Sequence, residues 1–294
     1  MSDDDGKVLT FILGKGGIGK TTTTYNVCSA FSIQEQCDWL YTPGMVIPEA
    51  REATELGIDL DPTANLSRSS GIRLKKDAQG KDEPSIHEVL LNPQFGIEYA
   101  VKRSRIGYDI LPATRSMNNL ETELSDASVV GRDFLLDQAL RSAEGTPEYP
   151  IVTQAMKKRK RAFIDTPRNL GILSVISMVA SDYIIVPFQP EFQAYDTLEE
   201  LDDRVKQVKK IKRSVEIHGI IVTMYDARLE LHKEFVKKIR NRYGEKVFRT
   251  IIPRNVSLAE APGFAQSVFE YAPKSAGALA YMELAKEMKE RFSL

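Results

Sequence analysis

Cysteine is nearly absent: Cys28 and Cys37 are the only two in 294 residues. They are too few for a disulfide framework, and neither a CxxC spacing nor paired histidines accompany them for zinc. Such a chain is expected in a reducing cytosol. No apolar run approaches the roughly 18–20 residues that a membrane span requires, so no transmembrane helix is expected. The first residues, Met1-Ser2-Asp3-Asp4-Asp5-Gly6-Lys7, are acidic. They lack the basic-then-apolar layout of a secretory signal and the Arg/Ser bias of a transit peptide, and residues 1–6 read as a disordered lead-in. Net charge is also almost absent. The formal balance of −1 excludes wholesale attraction to polyanions and leaves nucleic-acid binding, if any, to local basic patches.

What the chain does have is short apolar runs alternating with helix-length amphipathic stretches. Val8-Leu9-Thr10-Phe11-Ile12-Leu13 has the length and branching of a buried strand, and further strands are predicted at Tyr108 to Leu111, Ala162 to Ile164, Tyr183 to Phe188, Gly219 to Met224 and Val247 to Ile252. Most are too uniformly apolar for a one-sided sheet. Strands of this kind separated by helices imply right-handed βαβ crossovers, hence an α/β, doubly wound, mainly parallel sheet with helices on both faces. Leu201, Val205 and Val208 with Ile211, and Leu231, Phe235 and Ile239, recur at helical spacing. With no internal repeat and no linker, residues 1–294 read as one domain. Residues 36–56 and 147–160 give no clean period and are expected to be surface insertions.

Gly14-Lys15-Gly16-Gly17-Ile18-Gly19-Lys20-Thr21 satisfies the phosphate-loop pattern, directly after a strand and before a helix predicted from Thr22 to about Ser32. The backbone N–H groups of Gly16, Gly17, Ile18 and Gly19 can curl around a β-phosphate, and the helix N-terminus adds its positive dipole end. Lys20 then reaches the β- and γ-phosphates, Thr21 offers a hydroxyl to Mg²⁺, and Thr22 lies near the α-phosphate. The chain is therefore expected to bind and hydrolyse ATP with Mg²⁺.

Lys15 is a second lysine in the loop, and the form Lys-Gly-Gly-Ile-Gly-Lys-Thr-Thr resembles the deviant Walker A loop of the ParA/MinD ATPases. The resemblance implies that Lys15 crosses to the nucleotide of a second copy, so that ATP is sandwiched in a homodimer. Asp59-Leu60-Asp61-Pro62 resembles the family's first switch, which implies that Asp61 positions the attacking water and Asp59 contributes to Mg²⁺ and switch geometry. Strand alternation is expected to point both acids to one side. The strand before them, Glu55-Leu56-Gly57-Ile58, is short and polar, and Thr63 stands where the family commonly has Gln. Phe163-Ile164-Asp165-Thr166-Pro167 resembles the second switch, with Asp165 holding an Mg²⁺-bound water and Arg168 replacing the usual second proline. Taken alone, Asp-x-Asp is also a turn or cap, and Asp-Thr-Pro a helix N-terminus.

From Asp182 onward the likeness is to the Soj/ParA partition branch, through Asp182-Tyr183-Ile184-Ile185-Val186-Pro187, Thr223-Met224-Tyr225-Asp226-Ala227-Arg228, Ile252-Pro253-Arg254-Asn255-Val256 and Glu260-Ala261-Pro262. It implies base contacts from Pro253 and Asn255, with Met224 a further candidate. It also implies non-specific DNA binding on the ATP dimer, nucleoid association, and a stimulating ParB-like partner. Arg228 matches one DNA-binding position, while Ser257 stands where a second arginine often occurs. Two helical clusters could compensate, one holding Lys206, Lys209, Lys210, Lys212 and Arg213 and the other Lys233, Lys237, Lys238, Arg240 and Arg242, as could the run Lys157-Lys158-Arg159-Lys160-Arg161. Two rival readings stand beside this one. A MinD-like protein would bind membrane through the helix predicted over Tyr281 to Phe292, whose acids Glu283, Glu287 and Glu290 oppose anionic lipid. A binding module would keep ATP without hydrolysing it. An iron-protein-like reductase needs cluster cysteines beyond the switches, where neither Cys28 nor Cys37 lies.

Overall fold

The computed structural model describes residues 6–37, 42–44, 52–76, 78, 80, 82–124, 131–141 and 155–294. The sheet at its centre consists of β1 (Lys7–Phe11), β2 (Glu55–Asp59), β3 (Lys102–Arg103), β4 (Asp109–Leu111), β5 (Arg161–Asp165), β6 (Tyr183–Phe188), β7 (Ile217–Tyr225) and β8 (Val247–Pro253). Their order is β3-β4-β2-β5-β1-β6-β7-β8, and only the edge pair β3–β4 is antiparallel. Alternation along β1 shows why the sheet is covered twice. Leu9 and Phe11 pack with the helices Lys20–Gln36 and Ala276–Phe292 through Phe31, Tyr281 and Met288, whereas Val8 joins a separate apolar cluster on the other face. The doubly wound sheet expected from the apolar runs is thus present, and the predicted strands differ from the observed ones by one or two residues at their ends.

Several expectations are corrected. The helix after the phosphate loop starts at Lys20 rather than Thr22 and continues to Gln36. The segment read as short and polar, Glu55–Ile58, forms with Asp59 the strand β2, which lies between β4 and β5 and is buried throughout. The proposed insertion at 36–56 therefore loses both ends to regular elements, and residues 38–41 and 45–51 of it lie outside the described residues. Of 147–160, residues 147–154 lie outside them, while Ala155, Met156 and Arg159 are buried and Gly6 N donates to the Met156 carbonyl. On the helix Glu230–Tyr243 the buried row is His232, Phe235 and Ile239, with Leu231 about half exposed. Ile211 falls beyond the helix Phe192–Val208 and is exposed.

Polarity misleads at β2 because its charge is paired far away in sequence. Glu55 sits opposite Arg161 in the β2–β5 register, and Arg161 Nη2 donates to Glu55 at 2.6 Å and to Glu35 at 2.7 Å. Arg159 likewise donates to Asp109 at 2.6 Å and Glu98 at 2.7 Å. Two arginines of the basic run are therefore structural cations, not part of a DNA-binding surface. The carboxylates sharing Arg161 respond oppositely: burial dominates at Glu55 and pushes its pKa up. Burial also opposes ionisation of Glu35, but hydrogen bonds from Lys160 and Arg161 outweigh it and hold its pKa down to about 2.

Arg161→Ala leaves the Glu55 charge buried alone and is expected to cost about 3–5 kcal/mol in urea unfolding. Glu35→Gln is expected to cost about 1–2 kcal/mol at neutral pH. Because the folded pKa of Glu35 is depressed, its contribution is complete above the unfolded value and fades as pH falls toward 2. The two proteins should therefore converge in stability over that acid range, and a gap independent of pH would refute the assignment.

Candidate nucleotide site

The loop leaving β1 turns back through Gly17 (φ 78°) and Gly19 (φ 86°), left-handed positions where a side chain would be strained. Gly19 caps the helix Lys20–Gln36, whose first N–H groups face outward. Ile18 anchors the loop instead of lining it: its side chain is fully buried and its carbonyl accepts from Thr223 Oγ1 on β7 at 2.8 Å. Gly16, Gly17, Gly19, Lys20, Thr21 and Thr22 line a cavity of about 170 Å³ together with Asp61, Asn65, Arg168 and Met224. Lys20 Nζ donates to the Lys15 carbonyl at 2.9 Å. Burial lowers its pKa, while the Asp165 and Asp61 charges act in the opposite sense. Lys15 itself pairs with Glu191 at 3.1 Å, beside the start of the helix Phe192–Val208.

The carboxylates are placed by strand register. Phe11, the last residue of β1, aligns with Asp165 on β5, which aligns with Asp59 on β2. Thr21 Oγ1 donates to Asp165 at 2.7 Å, and Thr24 Oγ1 lies 3.4 Å from the other oxygen. Asp59 does not line the cavity. Its oxygens accept from Ser67 N at 2.9 Å, Ser67 Oγ at 2.7 Å and Asp61 N at 3.1 Å. The expectation that Asp59 and Asp61 both face the nucleotide is met by Asp61 alone: β2 ends at Asp59, whose oxygens are taken up by Ser67 and Asp61 N, and the chain turns after Asp61, where Ala64 N donates to its carbonyl at 2.8 Å. Asp61 does line the cavity, steadied by Thr63 N at 2.8 Å and Thr63 Oγ1 at 2.7 Å. Burial first, then the neighbouring acid charges, push the carboxyls of Asp59 and Asp165 up. Asn65 and Arg168 were not anticipated as lining residues. The departure of Arg168 from the family proline was the only sequence sign of either.

A second cavity, of about 370 Å³, adjoins the first and shares Gly19, Thr22 and Met224 with it. Its remaining wall includes Ile252, Pro253, Asn255, Leu258 and Tyr281. Thus Met224, Pro253 and Asn255, singled out in sequence, are brought together. Met224 holds a left-handed backbone (φ 51°), a conformation costing about 1–2 kcal/mol for a residue with a side chain. Asn255 Oδ1 is enclosed with no hydrogen-bond partner among the described residues. An apolar slot with one orphaned acceptor suits a purine carrying an exocyclic amine.

A family model described as an AAA domain matches residues 50–217. The chain is 32% identical to the chromosome partitioning protein ParA of Caulobacter vibrioides over 99% of its own length and 97% of that protein's. It is 30% identical to the sporulation initiation inhibitor protein Soj of Bacillus subtilis, covering 96% and 98%. The chain belongs to the ParA/MinD family of P-loop ATPases. Among solved structures, the cobyrinic acid a,c-diamide synthase of Mycobacterium smegmatis with bound ADP and magnesium superposes with a TM-score of 0.73 at 25% identity, over 98% of this chain and 96% of that one. The Pyrococcus furiosus cell division ATPase MinD shares the fold, with a TM-score of 0.68 at 20% identity over 97% and 99%.

The basic clusters of this ParA/MinD chain are thinner than their sequences suggest. Lys206 pairs with Asp203, Lys233 with Glu230, and Arg242 with Glu199 and Asp202. Lys212 donates to the Val179 and Ser181 carbonyls, Arg240 to that of Phe248, and Lys238 lies 3.8 Å over the Tyr195 ring. Lys209, Lys210 and Lys237 stay exposed. Arg228 projects into solvent, its side chain 88% exposed, and pairs with Asp226.

Asn255→Ala is expected to weaken ATP binding about five- to tenfold, the value of one net hydrogen bond, while leaving the melting temperature of the nucleotide-free protein unchanged. Calorimetric titration reads the first and a thermal melt the second. An unaltered ATP affinity would exclude Asn255 as a base contact.

Proposed function

We propose that the chain is an ATP-hydrolysing partition ATPase whose ATP-bound homodimer holds DNA without sequence preference and releases it on hydrolysis. The observation that carries this reading is the convergence of Lys20, Thr21 and Asp61 on one cavity, joined through Gly19, Thr22 and Met224 to a base-sized slot with an unpaired amide oxygen. The donor set fits Mg²⁺: the Thr21 hydroxyl and the Asp165 carboxylate are hard oxygen donors already joined by a hydrogen bond. Mg²⁺ held there supplies charge neutralisation on the phosphates. Asp59 is reserved for the switch, since its oxygens fix Ser67 and Asp61. Asp61 orients a water, whose oxygen bonds to the γ-phosphorus as the bond to the β–γ bridging oxygen breaks. The products are ADP and inorganic phosphate, with one water proton lost to the phosphate or to solvent.

In the dimer, Lys15 of each chain reaches the nucleotide of the other. It must first leave Glu191, and this partly exposed pair costs no more than about 1 kcal/mol to open. Arg228, Lys209, Lys210 and Lys237 form the DNA contact, which places the protein on the nucleoid, and a ParB-like partner stimulates hydrolysis. A MinD-like membrane role is disfavoured by the C-terminal helix Ala276–Phe292. Its apolar residues Tyr281, Leu284, Ala285, Met288 and Phe292 are buried in the core, and among the described residues no helix is long and apolar enough to cross a membrane.

Binding to random-sequence DNA, measured with ATP, ADP or no nucleotide over a salt series, tests the reading. Salt-sensitive binding confined to ATP is expected. Arg228→Glu should abolish it without affecting ATP binding, whereas Asp61→Ala should prolong it by blocking hydrolysis. DNA binding that ignores the nucleotide, or none at all, refutes the partition function.

A further inference from the structure

We propose that Arg168 is a second cation of the phosphate site, supplied by the same chain, that contacts the γ-phosphate of a bound nucleoside triphosphate. The inference rests on the ATP-site reading above and deepens it. Arg168 lines the phosphate cavity with Lys20, Thr21, Asp61 and Asn65 but does not line the base slot. Gly19, Thr22 and Met224 line both, so they mark the end of the cavity nearest the base. The residues that line the first cavity alone, Arg168, Asp61 and Asn65 among them, lie away from the base slot, where the last phosphate of a triphosphate would fall.

The side chain is laid across the loop. A β-carbon built on Gly16 would come within 2.9 Å of Arg168 Cδ, 3.2 Å of Nη1 and 3.3 Å of Nε. The absence of a side chain at Gly16 is what lets the guanidinium lie there. The backbone is fixed on both sides of it: Thr166 Oγ1 donates to the Phe11 carbonyl at 2.8 Å, Pro167 is buried, and Asn169 Oδ1 accepts from Gly171 N at 3.2 Å. The guanidinium has no ion pair or hydrogen bond among the described residues, in contrast to Arg159 and Arg161. Its charge is close enough to lower the pKa of Lys20. Two cations repelling one another across a phosphate-sized cavity are relieved by a polyanion between them, and a guanidinium fork matches phosphate oxygens two at a time. The other family cation, Lys15, must travel to a second chain, whereas Arg168 is in place from the start. Part of the charge that the sandwich dimer brings to the γ-phosphate is therefore carried in cis.

Calorimetric titration of Mg²⁺ with AMPPNP and, separately, with ADP into wild type, Arg168→Ala and Arg168→Lys tests this, alongside steady-state ATP hydrolysis. Arg168→Ala is expected to lose about tenfold in AMPPNP affinity, equivalent to about 1.4 kcal/mol, with ADP affinity held within about twofold and kcat reduced at least as far as AMPPNP affinity. Arg168→Lys should recover part of the AMPPNP affinity, since it keeps the charge but not the fork. An equal loss for both nucleotides would mean that Arg168 only shapes the loop, and would overturn the proposal, as would unchanged AMPPNP affinity and kcat. Failure of the wild type to bind either nucleotide would instead remove the ATP-site reading on which the proposal rests.

Discussion

The site depends on two carboxylates that the sheet forces together. Asp59 and Asp165 occupy the same register position on β2 and β5, neighbouring strands about 4.8 Å apart, and both are fully buried. Two such charges at this distance are unfavourable in a protein interior, so each needs donors, and those donors come from the phosphate-loop helix and the segment after β2. Thr21 and Thr24, from the first turns of the phosphate-loop helix, serve Asp165. Ser67 and the backbone of Asp61 serve Asp59. Ser67 Oγ also accepts from Ala113 N after β4 at 3.1 Å. The phosphate loop and the segments after β2 and β5 are therefore tied to one electrostatic problem, and a change of charge at the phosphate cavity reaches all three.

Topology separates the tasks. β1 lies between β5 and β6, so segments after β2 and β5 flank the phosphate loop on one side and segments after β7 and β8 on the other. This is a crevice at the carboxyl ends of parallel strands, the ligand position expected of an open α/β sheet. Asp61, which lines the phosphate cavity, and Asp165, at the end of β5, come from one side, and the second cavity with Met224, Pro253 and Asn255 from the other. The helix Ala276–Phe292 closes the base side from below, where Tyr281 Oη shares a 3.0 Å hydrogen bond with Thr23 of the phosphate-loop helix.

Legibility in the sequence followed the range of the interaction. The phosphate loop, its strand and its helix were readable because the pattern is contiguous and glycine conformation is local. The positions of Asp61 beside the phosphate cavity and of Asp165 at the end of β5 were readable because each lies at or just past the end of a recognisable strand. Glu55, Arg159 and Arg161 were misread because their partners lie 50 or more residues away, and a charge taken alone reads as solvated. Leu231 was assigned to the core by spacing, yet buried His232 takes that place. Its Nδ1 accepts from Asp226 N at 3.0 Å and holds the turn before the helix, a polar task that apolar periodicity does not detect. Asp59 was mis-aimed because the donors that take up its oxygens, Ser67 above all, lie in a later helix that strand alternation does not see.

The cations at the phosphate loop and at Arg228 are held by partners of little strength. Lys20 donates to a backbone carbonyl, Lys15 to a partly exposed Glu191, and Arg228 to Asp226 two residues away in solvent. The structural cations Arg159 and Arg161 are buried against two carboxylates each. An exposed pair gives up at most about 1 kcal/mol when it opens, whereas breaking a buried one costs several. A polyanion can therefore recruit the first group at little expense and cannot recruit the second. Charge that builds the fold and charge left free for ligands are thus separated by burial, a distinction that composition and net charge do not contain.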